Sequence, residues 1–413
     1  MPDQPVTNPV RYAGDQPALR QRNLATLLEL LRRNGPLTRT ELAQITGLNR
    51  ATVTRLVREL IAAGLVCEEG AQASSGGRPA IPLRLNGQAG TIIGAEIGFA
   101  TISAIITDFT PSIVTRLEHT IRPGASREDV LEQAINLFCA ASEAASRWPR
   151  PVFGLGLGVP GLVDTATGTL LFAPNLGWSD VPLKQILEDR LHMPVFVDNV
   201  ASVSALGESY FGAAQNHSVV LYLSTQGGLG GRIVTNGHIM RGASGFAGEV
   251  GHMTVADGGR RCNCGRVGCW ETRASQMALL QNVRERLAAG EPSTLRDAAS
   301  DPFQISVAMV ADAAEQGDEL ARSALEEIGR WLGIGLANLI NMLNPDLVVI
   351  GGALSAGHKV LLPVIESVLA TEVLRWVRKD CEITFAAHGA DTCLFGSVAT
   401  VYRDVLSQPQ RWI

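Results

Sequence analysis

The chain has 413 residues, 46% of them hydrophobic, enough for two or three domains with substantial cores. Its formal net charge of −5 excludes a general nucleic-acid binder, yet residues 1–88 carry eleven Arg, no Lys and seven acidic residues, a local +4 that leaves −9 elsewhere. Seven Cys, three of them crowded into 262–269, with no secretory apolar region, argue against a disulfide framework and for reduced thiols in a cytoplasmic protein. No apolar run is read as a membrane span.

Residues 1–17, rich in Pro, Asn, Gln and Asp, are expected to form a disordered tail. Residues 18–88 read as a winged helix-turn-helix. Leu24, Leu27, Leu28 and Leu31 recur at helical spacing until Asn34-Gly35-Pro36 stops the pattern. Thr38 and Glu41 form a capping box for a second helix, which halts at Gly47. Asn49 caps a third helix over 50–63, with Val53, Leu56, Val57 and Leu60 inward.

Two helices joined by a short Gly-containing turn are the geometry that lays a recognition helix in the major groove. Thr38, Arg39, Asn49, Arg50, Thr52, Thr54, Arg55 and Arg58 are therefore the candidate contacts to phosphates and base edges of double-stranded DNA. Residues 65–68 and 81–85 pair as a hairpin around a wing, in which Gly77-Arg78-Pro79 holds Arg78 on extended backbone suited to the minor groove. A helical protein-interaction domain would share the periodicity. Capping box, Gly turn, Arg/Thr-rich third helix and wing together favour DNA.

From residue 89 the texture changes to short apolar strands between Gly-rich turns. Strands at 91–98, 102–106, 152–159 and 195–199, then at 219–224 and 233–234, alternate with helices and indicate an α/β body. Two sets of strands predict two lobes, 89–205 and 206–390, with a cleft between them. His252 with Cys262, Cys264 and Cys269 offers one imidazole and three sulfurs, a tetrahedral set suited to structural zinc; reduced thiols in a surface loop are the alternative.

Three stretches of the body resemble the ROK family, the grouping of repressors, open reading frames and sugar kinases. They are Gly242-Ala243-Ser244-Gly245-Phe246-Ala247-Gly248-Glu249-Val250-Gly251-His252, the run Cys262-Asn263-Cys264-Gly265-Arg266-Val267-Gly268-Cys269-Trp270-Glu271, and Asn344-Pro345-Asp346 through Gly351-Gly352. With its winged head, the chain looks like the repressor branch, which includes xylose- and N-acetylglucosamine-responsive regulators. The resemblance implies a two-lobed actin-like (ribonuclease H-like) body, with the C-terminal helix, 391–413, returning to the first lobe. It also implies a zinc ion and a small neutral sugar effector of the glucose, xylose or N-acetylglucosamine class. Asn175, Asn199, Glu249, His252 and Glu271 fall on or near the family's sugar-contacting positions.

The family's kinases carry an Asp-Ile-Gly-Gly-Thr type phosphate loop where this chain has Glu96-Ile97-Gly98-Phe99-Ala100, and Gly-Thr-Gly where it has Gln226-Gly227-Gly228. Their catalytic Asp follows the sugar-binding Asn; here Val200 follows Asn199, and Val cannot accept a proton. The expectation is a repressor without catalytic residues. It would act as a homodimer or homotetramer on a pseudo-palindromic operator. The rival reading is a sugar kinase that carries a DNA-binding module.

Overall fold

The computed structural model describes residues 16–70, 81–122, 124–174, 176–298 and 301–413. Two compact units result. One comprises the described residues up to Gly90 with Asp108–Thr110 and Tyr402–Ile413; the other comprises Thr91–Thr107 and Pro111–Val401.

In the first unit, α1 (Gln16–Asn34), α2 (Arg39–Thr46) and α3 (Arg50–Ala62) precede the hairpin of β1 (Val66–Glu68) and β2 (Leu83–Leu85). Leu24, Leu27, Leu28 and Leu31 of α1 are buried, as are Val53, Leu56, Val57 and Leu60 of α3. Full burial of such a side chain contributes roughly 1.5–3 kcal/mol. The box that starts α2 is closed both ways: Glu41 N donates to Thr38 Oγ1 at 3.3 Å and Thr38 N to Glu41 Oε2 at 2.7 Å. Gly47 ends α2 at φ +70°, a conformation that glycine adopts without a Cβ penalty. Leu37 adds a third edge to the hairpin by exchanging backbone bonds with Leu83. The wing tip, including Arg78, lies outside the described residues.

The second unit holds two five-stranded sheets. The first lobe contains β3 (Thr91–Ile97), β4 (Thr101–Asp108), β5 (Ile113–Thr120), α4 (Arg127–Ser146), β6 (Val152–Val159), β7 (Leu162–Asp164), β8 (Thr169–Ala173), β9 (Trp178–Val181), α5 (Leu183–Leu191), β10 (Val195–Asn199) and α6 (Val200–Phe211). Its main sheet runs β10-β6-β3-β4-β5, with β10, β6 and β3 parallel; β7-β8-β9 form a separate small sheet. Val130, Ala134, Leu137, Phe138 and Ala141 of α4 enter its core.

The second lobe begins with β11 (Val219–Ser224), β12 (Gly230–Thr235) and β13 (His238–Ile239). There follow α7 (Glu271–Ala274), α8 (Gln276–Ala288), α9 (Leu295–Ala298), α10 (Val307–Glu315), α11 (Glu319–Leu343), β14 (Leu347–Gly351), α12 (His358–Glu372), α13 (Arg375–Arg378) and β15 (Glu382–Phe385). The strand order β13-β12-β11-β14-β15 repeats the first lobe's plan of a hairpin beside parallel strands, giving the ribonuclease H-like duplication.

The last helix, α14 (Thr392–Ser407), lies so close on the first lobe's sheet that a Cβ at Gly156 would fall 2.0 Å from the Ser397 carbonyl oxygen. Its end departs from the expectation for 391–413: Tyr402–Ile413 group with the first unit, where Tyr402 meets Phe109 at a ring separation of 4.9 Å. One stretch, Ala353–Glu372, is long and apolar enough to cross a membrane by composition, contrary to the sequence reading. It is a core helix: Leu354, Leu361, Ile365 and Leu369 are buried in the second lobe's hydrophobic core.

Candidate functional site

The cleft of the body holds a cavity of about 290 Å³ lined from both lobes. Asn199 ends β10 and caps α6, its Oδ1 accepting from Ala201 N at 2.9 Å and its Nδ2 donating to the Gly161 carbonyl at 2.7 Å. The amide is thereby locked at the cavity wall. Glu249 and His252 come from a short 3-10 turn after the Gly-rich segment, and Glu271 opens α7. Glu271 is held in place by its predecessor: Trp270 is fully buried and donates to the Trp331 carbonyl on α11 at 2.7 Å. Glu271 Oε2 accepts from Leu229 N at 3.2 Å, and Oε1 from Cys262 Sγ at 3.2 Å. All four side chains line the one cavity, with amides from Gln226 and Asn263 beside them. Asn175 lies outside the described residues; Pro174 before it lines the cavity.

His252, Cys262, Cys264 and Cys269 meet at the edge of this cavity, their ligand atoms all within 4.8 Å of one another. Backbone pairing of Arg261 with Val267 and of Thr254 with Cys269 folds the loop into a knuckle. Cys262 Sγ lies 3.7 Å from His252 Nδ1, and Cys264 Sγ lies 3.6 Å from Cys269 Sγ. Burial pushes the Cys262 and Cys269 thiols up. At Cys264 the same effect is outweighed by hydrogen bonds from Arg266, Cys262 and Cys269, which bring the thiol down to about 6. The set can hold a metal ion. Cys264 and His252 also line the cavity, so ion and ligand would share a wall.

Phe99, Val200, Gln226 and Gly228, from the stretches that depart from the kinase pattern, all line this cavity. Phe99 packs on Gly227, where a Cβ would come within 2.2 Å of its ring, so an aromatic side chain stands between the two phosphate-type loops. Val200 lines the cavity at the position after Asn199. Asp198 turns away to pair with Arg241 at 2.6 Å and does not line the cavity. Glu96 borders a second cavity of only about 10 Å³ with Ser204, Tyr222 and Cys393. Burial, with nearby Asp391, raises its carboxyl to about 7 against the opposing hydrogen bond from Cys393.

On the first unit, Arg50, Arg55 and Arg58 project from α3 as exposed cations. Arg55 reaches Glu59 at 3.8 Å, and Arg50 and Arg58 make no ion pair with another described residue. Thr52 and Thr54 are half-buried, and Thr54 Oγ1 donates back to the Arg50 carbonyl at 2.7 Å. Thr38 and Asn49 are engaged as helix caps, and Arg39 pairs with Glu68 at 2.7 Å. Thr38 and Asn49 thereby start α2 and α3.

Sequence reasoning missed Arg232. It lines the cavity with its side chain only 5% exposed and touches Glu249. The available signal was an Arg flanked by Gly-Gly and Ile-Val in a strand, a place where a charge must find partners.

Winged helix-turn-helix and two-lobed polar cleft together define a DNA-binding regulator built on a sugar-kinase-type body. The ROK family model matches residues 92–404, and the MarR family model matches residues 22–73. The chain belongs to the ROK family. It is 34% identical to a xylose repressor of Caldicellulosiruptor bescii over 96% of this chain and 99% of that one. A solved ROK family transcriptional regulator, described as a homologue of the Escherichia coli MLC protein, superposes with a TM-score of 0.81 at 28% identity, over 95% of this chain and 99% of that one. A ROK family glucokinase from Streptomyces griseus, solved with glucose and AMPPNP, gives 0.66 at 33% identity over 75% of this chain and 99% of that one. The match to full-length regulators includes the head, so this is a transcriptional repressor of the family.

Proposed function

We propose that a small neutral sugar of the glucose, xylose or N-acetylglucosamine class, bound in the cleft, sets the operator affinity of this repressor of carbohydrate-metabolism genes, and that no phosphoryl transfer accompanies binding. The observation that carries this is the convergence of Asn199, Glu249, His252 and Glu271 on one cavity while Phe99 occupies the approach to Gly227. A sugar needs acceptors and donors in fixed directions, and two carboxylates, an imidazole and the Asn199 amide line the cavity to supply them. A kinase needs a base near the reacting hydroxyl and open backbone N–H groups for phosphates; Val200 and Phe99 replace both.

Zinc fits the His252, Cys262, Cys264 and Cys269 set. Metal–sulfur bonds of about 2.3 Å imply ligand separations of roughly 3.7 Å in a tetrahedron; two of the six pairs stand at 3.6 and 3.7 Å, and all lie within 4.8 Å. Four protein ligands leave no position for water, so the ion would brace the knuckle and supply no reaction chemistry. Ligation through His252 Nδ1 would leave Nε2 for a ligand hydroxyl.

Arg50, Thr52, Thr54, Arg55 and Arg58 face operator DNA, with Thr38, Arg39 and Asn49 beside them at the helix starts and Arg78 on the wing. A homodimer or homotetramer would present two heads to a pseudo-palindromic site. Sugar must bind the two states unequally; a coupling of about 1–3 kcal/mol changes operator affinity about 5–150-fold. Calorimetry of zinc-replete protein against a sugar panel, with and without ATP, tests the reading. Saturable binding of one sugar without phosphorylated product is expected, and phosphorylated product would overturn it.

A further inference from the structure

Arg232 stands on β12 between Gly231 and Ile233, and its guanidinium is almost wholly removed from solvent. Such a cation persists only where a counter-charge and fixed acceptors replace its water. Three partners do so. Nε donates to Ser202 Oγ at 2.7 Å, Nη1 to the Gly231 carbonyl at 2.6 Å, and Nη2 to Glu249 Oε1 at 3.2 Å. Ser202 lies in the first turn of α6, the helix that Asn199 caps. One side chain therefore ties the carboxylate on the metal-side turn to the helix start that carries the cleft's amide.

Glu249 is engaged through Oε1, and its Oε2 takes no hydrogen bond from another described residue. Arg232 is the cationic side chain among the Lys and Arg positions that lines this cavity, and its charge is matched by Glu249. We propose that Arg232 is the positioning residue of the sugar site: it holds Glu249 as a charged acceptor with Oε2 presented to the ligand, and it fixes that carboxylate relative to Asn199 through Ser202. This rests on the reading of the cleft as a sugar site. The Lys replacement keeps the charge but loses the planar fork that reaches Ser202 and Glu249 together.

The test is a double-mutant cycle read by calorimetry on the full-length, zinc-replete chain, with D-glucose, D-xylose and N-acetyl-D-glucosamine as the titrants. The variants are Arg232→Met, Arg232→Lys, Glu249→Gln and the Arg232→Met/Glu249→Gln double. If Arg232 acts through Glu249, each of Arg232→Met and Glu249→Gln lowers sugar affinity at least tenfold, and the double loses little more than either single. Arg232→Lys recovers part of the loss. Losses that multiply in the double, or wild-type affinity in Arg232→Met while Glu249→Gln is impaired, would overturn the positioning role and leave the sugar site standing. Wild-type affinity in Glu249→Gln would instead remove Glu249 from the sugar site, and the proposal with it. If Arg232→Met does not fold, Arg232→Lys alone decides: it keeps the charge, so undiminished affinity refutes the need for the fork, and a reduced affinity that Glu249→Gln does not worsen supports it.

Discussion

Half-burial of Glu96 beside a small cavity has a consequence for stability. Its carboxyl borders a cavity with room for about one water, and its level of about 7 is set first by burial, then by Asp391, against the hydrogen bond from Cys393. In the unfolded chain the same group titrates near 4.5. The folded state thus keeps its proton over a range in which the unfolded state has released it. Stability contributed by this group is highest below pH 4.5, falls as pH rises toward 7, and is flat above. A difference of 2.5 pH units at 1.36 kcal/mol per unit gives a loss of about 3 kcal/mol across that window. Glu96→Gln keeps the shape of the side chain and removes the titration. Urea denaturation of both proteins at pH 5, 6, 7 and 8, followed by tryptophan fluorescence, reads the difference; Trp148, Trp178, Trp270, Trp331 and Trp376 all report on the second unit. Because pH 5 already lies above the unfolded level, the variant should gain on the native protein by about 2 kcal/mol between pH 5 and pH 7. Parallel stabilities at all four values would show that Glu96 is hydrated and that the burial argument is mistaken.

Three other outcomes are expected. Removing bound metal with a chelator, or Cys264→Ser, should weaken sugar binding because the knuckle shares a wall with the cavity; unchanged affinity in protein verified as metal-free by elemental analysis would uncouple the two. Arg50→Ala should lower operator affinity and relax preference at one base pair, by about 1–3 kcal/mol if it contacts a base edge, as read by mobility shifts on an operator and its single-base variants. A loss that is equal on every sequence would make it a phosphate contact. Val200→Asp should leave the protein without ATP-dependent sugar phosphorylation while Phe99 remains packed on Gly227, and product formation by the single variant would show that the ring is no barrier.

What the sequence made legible was chemistry decided within a few residues. Thr38 and Glu41 announce their capping box, Gly47 its left-handed turn, and Cys262, Cys264 and Cys269 their cluster, because each signal needs only neighbours along the chain. The winged head, the two-lobed body and its family likewise follow from contiguous motifs. Pairings between distant segments were not legible. The ion pair of Arg39 with Glu68, twenty-nine residues on, is one such pairing. The small sheet of β7, β8 and β9, and the grouping of Tyr402–Ile413 with the head, also depend on contacts that no local pattern encodes.

Phe99 joins the two cases. The sequence shows an aromatic residue in a phosphate-type loop, which is a local fact, and predicts crowding. That the ring rests on Gly227, in the other lobe's loop, is a tertiary fact with a stronger consequence. A bulky residue in one loop could swing aside for a nucleotide, but a ring packed on the facing loop must first give up that contact. Nucleotide entry would then be opposed by the same packing that brings the loops together. Under the proposed reading, sugar could bind in such a cleft without phosphoryl transfer, which is the separation a sensor requires.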